Sequence, residues 1–315
     1  MVRRIKNLIS VEFMKITRQR LFFIALFLIT LTVVLSVLLE PSEGKKSSSE
    51  ELGTTSETVQ KLAHRPDGGF GPLIRGCKNG FALAAIFILI FSALSIATET
   101  TSGTIRMVLT RPIRRSELFL AKALTLIIIA IIIILLIEIL SFAISYLAYG
   151  LSHVTDATYP DTPFPQGAKV LMIRYTLYSF IMVAFPLIAI IFFGLFISSF
   201  VENVGIAIAL AILIYLSFDY IIIGLFDKVA PYLFSYYHAF YLDRLYDLSG
   251  AIADSNWAFK VIDEWIGLGK GEIKTSALYP EWQLMVIKSI IVPIGYIIVF
   301  TIPSLIILRR KDILV

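Results

Sequence analysis

Long uninterrupted apolar stretches constrain this chain more than any other feature of its sequence. The stretch Ala123–Leu136, for example, contains Thr125 as its single polar residue. A run of about 18 or more apolar residues matches the hydrocarbon core of a bilayer at the rise of an α-helix. Backbone groups in that core must be satisfied within the segment, and a helix does this. With 57% hydrophobic residues and a mean hydropathy of +0.84, the chain is predicted to be an all-α, polytopic membrane protein.

The apolar stretches predict six transmembrane helices. Their approximate bounds are 21–39, 80–97, 118–149, 171–200, 204–226 and 284–308. Residues 1–20 place apolar side chains at helical spacing and basic side chains opposite them, which predicts an amphipathic helix in the membrane interface. The polar segments 40–79, 150–170 and 227–283 are predicted to be external. Aromatic residues crowd the last of these, which favours short external helices before the sixth span.

Basic residues indicate the orientation of the spans. Lys and Arg are denser in residues 1–20, 98–117 and 309–315 than in the longer segments predicted to be external. Because cytosolic loops carry an excess of Lys and Arg, both termini are predicted to be cytosolic. The same bias accounts for the net charge of +5 without a nucleic-acid partner. Cys77 is the one cysteine, and the three histidines are scattered, so no disulfide within the chain and no metal-ligand spacing is indicated.

The connector 98–117, between the second and third predicted spans, is the most informative segment. Ser102 or Thr104 fits the N-cap of a short helix, and Pro112 would end that helix. The apolar face of the helix would carry Ile105, Val108 and Leu109. A short helix held between two spans can dock on a cytosolic partner as a rigid unit. Ser116 fits the N-cap of the helix that follows.

A group of residues in and around this connector carries a resemblance to a known family. The residues are Glu99, Gly103, Thr104, Leu109, Arg111, Pro112, Arg115 and Lys122. They resemble the E…GT…L…P…R…K signature of ABC type 2 permeases, which lies between the second and third spans in that family. The basic segment 1–20 is similar to the family's elbow helix, and Arg310-Lys311-Asp312 is similar to its terminal basic–Asp cluster. Arg111 departs from the pattern, since many members carry a small or polar residue there.

The resemblance implies a transport function. Two such chains, identical or related, would form the transport path of an exporter in the plasma membrane of a prokaryote. Two cytosolic ATPase subunits would dock on the connector, with Arg106 among the coupling residues, and would hold the ATP and Mg. The chain has no G-x-x-x-x-G-K-[ST] phosphate loop, so it is predicted to bind no cofactor and to be no enzyme. A channel or secondary transporter without an ATPase is the alternative.

Four ionisable residues are predicted at similar depth in the outer half of the bilayer. Glu138 and Asp219 lie within the third and fifth spans, and Arg174 and Lys288 begin the fourth and sixth. Ionisable groups are costly there and tend to face a bundle interior or water. Three interpretations follow: an ion-pair network that holds the outer end closed, direct contact with substrate, or snorkelling. The apolar pathway mildly favours an amphipathic or hydrophobic cargo.

Overall fold

The computed structural model describes residues 2–39, 70–102, 115–149, 167–218, 232–236 and 281–310. Within these ranges all regular secondary structure is helical, which confirms the predicted all-α class. The helices are α1 (Val2–Thr17), α2 (Arg20–Leu38), α3 (Phe70–Thr101), α4 (Arg115–Tyr149), α5 (Gly167–Phe200), α6 (Val204–Leu216) and α7 (Glu281–Arg310), with a 3-10 helix at Phe234–Tyr236.

Five of these helices are long and apolar enough to cross a membrane. The candidate spans are Arg20–Leu38, Pro72–Thr101, Arg115–Ala148, Val183–Phe200 and Lys288–Leu308. They coincide with five of the six predicted spans, so the chain is a membrane-embedded helical protein. The remaining predicted span, 204–226, is described as the shorter apolar helix Val204–Leu216 and its continuation to residue 218, and the rest of it lies outside the described residues. The total of six spans therefore stays a prediction.

The helix α3 begins at Phe70, well before the predicted start of the second span at residue 80. Arg75 and Lys78 interrupt the apolar run there, and this hid the first turns from the hydropathy pattern. Two small residues explain why these turns still pack inside the bundle. A Cβ on Gly76 would lie 2.6 Å from Val37 Cγ2, and one on Gly80 would lie 2.8 Å from Ile137 Cγ2. Glycines four residues apart thus let α2 and α4 approach the backbone of α3.

The centre of the bundle is α3. It packs against α2, α4, α5 and α6, while α7 packs mainly on α5, and α1 lies along α4. Within the most apolar part of each span, 67% of the α3 residues are buried but only 11% of the α7 residues are. The outward faces of α2, α4 and α7 carry exposed large apolar side chains such as Phe27, Ile139 and Ile291. Such faces are stable against lipid.

The second half of α3 is held closely against α5. A Cβ on Gly194 would lie 2.8 Å from Ser92 Cβ and 3.1 Å from the carbonyl oxygen of Leu89. One turn further on, the Ser198 hydroxyl oxygen accepts from the backbone N–H groups of Ile96 and Ala97, at 3.0 and 2.9 Å. These contacts fix α3 directly before residue 98, where the connector begins.

The turn between α5 and α6 is short, as the sequence predicts. Asn203 is the N-cap of α6, and its Oδ1 accepts from Gly205 N at 2.9 Å and from Ile206 N at 3.4 Å. A side-chain acceptor at this position satisfies backbone donors that the helix itself leaves open.

An aromatic cluster holds the 3-10 helix against α5 and α7. The ring of Phe234 is fully buried, and its centroid lies 5.0 Å from Tyr296, 5.6 Å from Phe193 and 5.8 Å from Phe300. Aromatic pairs at these separations add to the stability that burial alone gives. Of the predicted external segment 227–283, residues 232–236 and 281–283 are described.

Candidate functional site

A buried lysine of α4 lies at the centre of the candidate site. The side chain of Lys122 is 1% exposed, so its ammonium group is buried. Its Nζ donates to Glu99 Oε1 at 2.8 Å, to Glu12 Oε2 at 3.0 Å and to the carbonyl oxygen of Ser95 at 3.0 Å. An ammonium group has three donors. All of them are used here, and this makes the burial of the charge tolerable.

A second lysine completes the cluster from α1. Lys15 Nζ lies 2.6 Å from the same Oε1 of Glu99, so one carboxylate oxygen serves both ammonium groups. The Lys15 side chain is 44% exposed, whereas that of Glu99 is 4% exposed. We call Glu12, Lys15, Glu99 and Lys122 the charge cluster. Its two carboxylates and two ammonium groups balance each other.

The carboxylates of the charge cluster also shift the pKa of Lys15, which lies outside the predicted spans. Burial lowers the pKa of Lys15, but the hydrogen bond and charge of Glu99, together with the charge of Glu12, outweigh burial and hold the pKa above its ordinary value. Lys15 is therefore cationic at physiological pH, as its ion pair with Glu99 requires.

The charge cluster joins both ends of the connector to α1. Glu99 lies in the last turn of α3 and Lys122 in the second turn of α4. Their 2.8 Å contact brings together the first and last residues of the signature. The other predicted coupling residues inside the connector lie outside the described residues: Gly103, Thr104, Arg106, Leu109, Arg111 and Pro112.

Two further contacts gather chain segments at this end of the bundle. The Thr101 hydroxyl donates to the Glu202 carbonyl oxygen at 2.6 Å. The predicted coupling residue Arg115 donates from Nη1 to the Leu308 carbonyl oxygen at 2.9 Å. The helix α1, the connector ends, the α5–α6 turn and the last turns of α7 thus share one end, as expected for segments predicted to face the same side of the membrane.

The four residues predicted in the outer half are only partly described. Glu138 is buried, at 3% exposure, on the part of α4 where Ile137 and Ser141 approach Gly80 and Gly76 of α3. Lys288 lies over the ring of Tyr232, with Nζ 4.8 Å from the ring centroid. Asp219 and the side chain of Arg174 lie outside the described residues. The pairing of these four groups therefore stays a prediction.

Sequence reasoning did not select Glu12 or Lys15 as site residues. A signal for Glu12 was present, because it is the one acid in residues 1–20 and shares a helical face with the apolar residues Ile9 and Ile16. An acid on the buried face of an amphipathic helix needs a cation from a neighbouring helix. No comparable signal distinguished Lys15 from the other basic residues of α1.

The fold and the charge cluster define a polytopic helical membrane protein whose N-terminal helix is ion-paired to the ends of one inter-helix connector. Residues 64–243 match the model of a family described as protein of unknown function (DUF2705). The match covers more than half of the chain, and the chain belongs to this family. It includes Glu99 and Lys122 but not α1. A search of curated proteins finds no match.

Proposed function

We propose that this chain is the permease subunit of an ATP-binding-cassette exporter. Two permease chains, identical or related, would line the transport path, and two cytosolic ATPase subunits would drive it through the connector. ATP and Mg would bind to those subunits, so the chain itself would catalyse no reaction. The plasma membrane of a prokaryote would hold the complex, with both termini in the cytosol.

The observation that carries this proposal is the ion pair between Lys122 and Glu99. These residues end and begin the resemblance to the permease signature, and in the fold they meet at 2.8 Å. A force applied to the connector would therefore reach α3 and α4 together rather than bending one of them. Because α3 packs against four other helices, its displacement would also move those helices.

The grouping of segments at one end of the bundle supports the proposal further. A partner that pushes on the connector needs a surface that includes neighbouring elements. The contacts from Thr101 to Glu202 and from Arg115 to Leu308 place such elements beside the connector ends.

Site-directed labelling tests the orientation. In a Cys77→Ala background, a single cysteine replaces exposed Ser102 at the connector, and a control cysteine replaces exposed Leu147 near the other end of α4. We expect a membrane-impermeant maleimide to label the Ser102 position only after cells are opened. Labelling of that position in intact cells would contradict the proposal.

Purification tests the ATPase partner. An affinity-tagged full-length chain, extracted from its native membranes in mild detergent, is expected to retain a soluble subunit that carries a phosphate-binding loop and hydrolyses ATP. A cysteine-reactive crosslinker at Ser102→Cys should join the two proteins, and the same reagent at Leu147→Cys should not. Retrieval of the chain without any ATP-hydrolysing subunit would favour the transporter or channel alternative.

A further inference from the structure

The helix α1, together with Arg18 just beyond its end, has an exposed face beside the charge cluster. We call six exposed positions of this face the α1 outer face: Lys6, Asn7, Ser10, Val11, Met14 and Arg18. Lys15 lies at the edge of this face, 44% exposed, with its Nζ on Glu99. The spacing of residues 7, 11, 14 and 18 places them along one side of a helix. Glu12 and Ile16 are buried on the other side. The two sides of α1 thus make different contacts.

The α1 outer face is cationic and apolar at the same time. Its basic residues are Lys6 and Arg18, and Lys15 and Arg20 beside it are exposed as well, whereas the one acid of α1, Glu12, is buried. Between the basic residues, Val11 is 57% exposed and Met14 is 46% exposed. Interleaved cationic and apolar side chains fit a surface that offers phosphate groups above acyl chains.

The continuation of the chain selects a membrane lipid as the source of those phosphates. Gln19 alone separates the α1 outer face from the candidate span that begins at Arg20. The first turns of that span expose Phe23 and Ile24, which require an apolar surrounding. A dissolved anion would match the charges but would leave the apolar residues in water.

We propose that the α1 outer face binds the headgroups of anionic membrane lipids, and that a bound headgroup acts on the connector by competing with Glu99 for Lys15. The lipid binding itself requires no ATPase. The consequence for transport rests on the proposed function.

The charge cluster allows this exchange because its two lysines differ in burial. Lys15 is 44% exposed and Lys122 is 1% exposed. Exposed ion pairs are weak, whereas breaking a buried pair is costly. If a headgroup draws Lys15 away, Glu99 keeps Lys122 at 2.8 Å and is not left as an unpaired buried charge. The end of α3, where the connector begins, then loses its direct link to α1.

Headgroup selectivity is measured with a fluorophore on the α1 outer face. Met14→Cys or Ser10→Cys in a Cys77→Ala background is labelled, and the full chain is placed in phosphatidylcholine nanodiscs with a quencher-bearing lipid. We expect quencher-bearing phosphatidylglycerol to quench the fluorophore at a lower mole fraction than quencher-bearing phosphatidylcholine does. Equal quenching by the two lipids at both label positions would overturn the proposal.

Charge variants separate electrostatic binding from general insertion. Lys6→Gln, Arg18→Gln and Arg20→Gln should each weaken the preference for phosphatidylglycerol about fivefold. The matched variants Lys6→Arg, Arg18→Lys and Arg20→Lys should retain it. Loss of the preference in inorganic phosphate, but not in chloride of the same ionic strength, would assign the surface to a free anion and overturn the proposal.

The role of Lys15 needs a reporter at the connector. A label at Ser102→Cys should change its emission when phosphatidylglycerol is added. Lys15→Gln should abolish that change while quenching at Met14→Cys still shows the phosphatidylglycerol preference carried by Lys6, Arg18 and Arg20. Lys15→Arg should restore the change. Persistence of the change in Lys15→Gln would show that Lys15 is not the link.

These measurements use the chain without partners. Failure to find an ATPase would therefore remove the proposed function and leave the lipid result intact. Failure of the lipid preference would leave the proposed function untouched.

Discussion

Lys122 and Glu12 are 110 residues apart in the chain, yet Nζ of the lysine lies 3.0 Å from Oε2 of the glutamate, with side chains only 1% and 10% exposed. The same ammonium group binds Glu99, so a single side chain of α4 connects α1 with α3. The stability of this end of the bundle should therefore depend on Lys122 far more than on its neighbours.

Replacing Lys122 tests this dependence. Lys122→Ala leaves the carboxylates of Glu12 and Glu99 buried without their shared cation, and we expect a loss of about 3–5 kcal/mol in the free energy of unfolding. Lys15→Ala is the matched control, because Lys15 is 44% exposed and its removal leaves Glu99 paired with Lys122, so we expect a loss of about 1 kcal/mol. Thermal unfolding of the detergent-solubilised protein measures both. Equal losses in the two variants would contradict the assigned difference in burial.

Two glycines in helices give opposite predictions for the same substitution. Gly194→Ala would drive a Cβ against Ser92 and the Leu89 carbonyl oxygen, and we expect it to destabilise the protein by about 1–3 kcal/mol. Gly295→Ala meets nothing within 4 Å and should be neutral or stabilising by up to about 1 kcal/mol. Thermal unfolding again distinguishes them. Tolerance of Gly194→Ala would argue against the close crossing of α3 and α5.

Arg115 should protect the end of α7. Its Nη1 donates to the carbonyl oxygen of Leu308, in the last turn of α7, where a helix leaves carbonyl groups without partners. Arg115→Ala should expose this turn and cost about 0.5–1.5 kcal/mol locally. Hydrogen exchange followed by mass spectrometry should show faster exchange in the last turns of α7. Unchanged exchange there, compared with Arg115→Lys, would mean that the contact does not hold the helix end.

Phe234 should anchor the 3-10 helix. Its buried ring contacts aromatic residues of α5 and α7, so Phe234→Ala is expected to cost about 3–5 kcal/mol. Phe234→Leu keeps most of the volume and should cost less. Proteolysis near residue 234 in detergent measures the release of the segment. Similar protection in both variants and in the parent protein would show that the cluster contributes little.

The proposed coupling role predicts a separation of activities in Gly103→Pro. Proline fixes φ and removes a backbone donor two residues after α3 ends, so the connector should no longer transmit motion from a partner to α3. In proteoliposomes of the complex, we expect ATP hydrolysis to continue while transport falls. Gly103→Ala is the control and should retain both. A parallel fall of hydrolysis and transport would indicate loss of docking rather than loss of coupling.

The sequence predicted the helical class and six spans, and five of these coincide with candidate spans, because bilayer-length apolar runs leave few alternatives. It placed the start of α3 too late, since Arg75 and Lys78 mask a turn that Gly76 and Gly80 allow to pack. The pattern also selected Glu99 and Lys122, but only as members of a loosely spaced signature. Their contact depends on how α3 packs against α4, and the contact of Glu12 with Lys122 depends on how α1 lies along α4. Both arrangements are set by tertiary packing.

The central position of Lys122 has a consequence for biogenesis. Glu12 is synthesised 110 residues before Lys122. During synthesis the glutamate is therefore without the cation that binds it in the folded bundle. We therefore expect α1 to stay at the membrane–water interface and to pack against α4 only after the span that contains Lys122 has entered the bilayer. A nascent chain truncated before residue 122 would retain the ion pair between Lys15 and Glu99 but would lack the cation that pairs with Glu12.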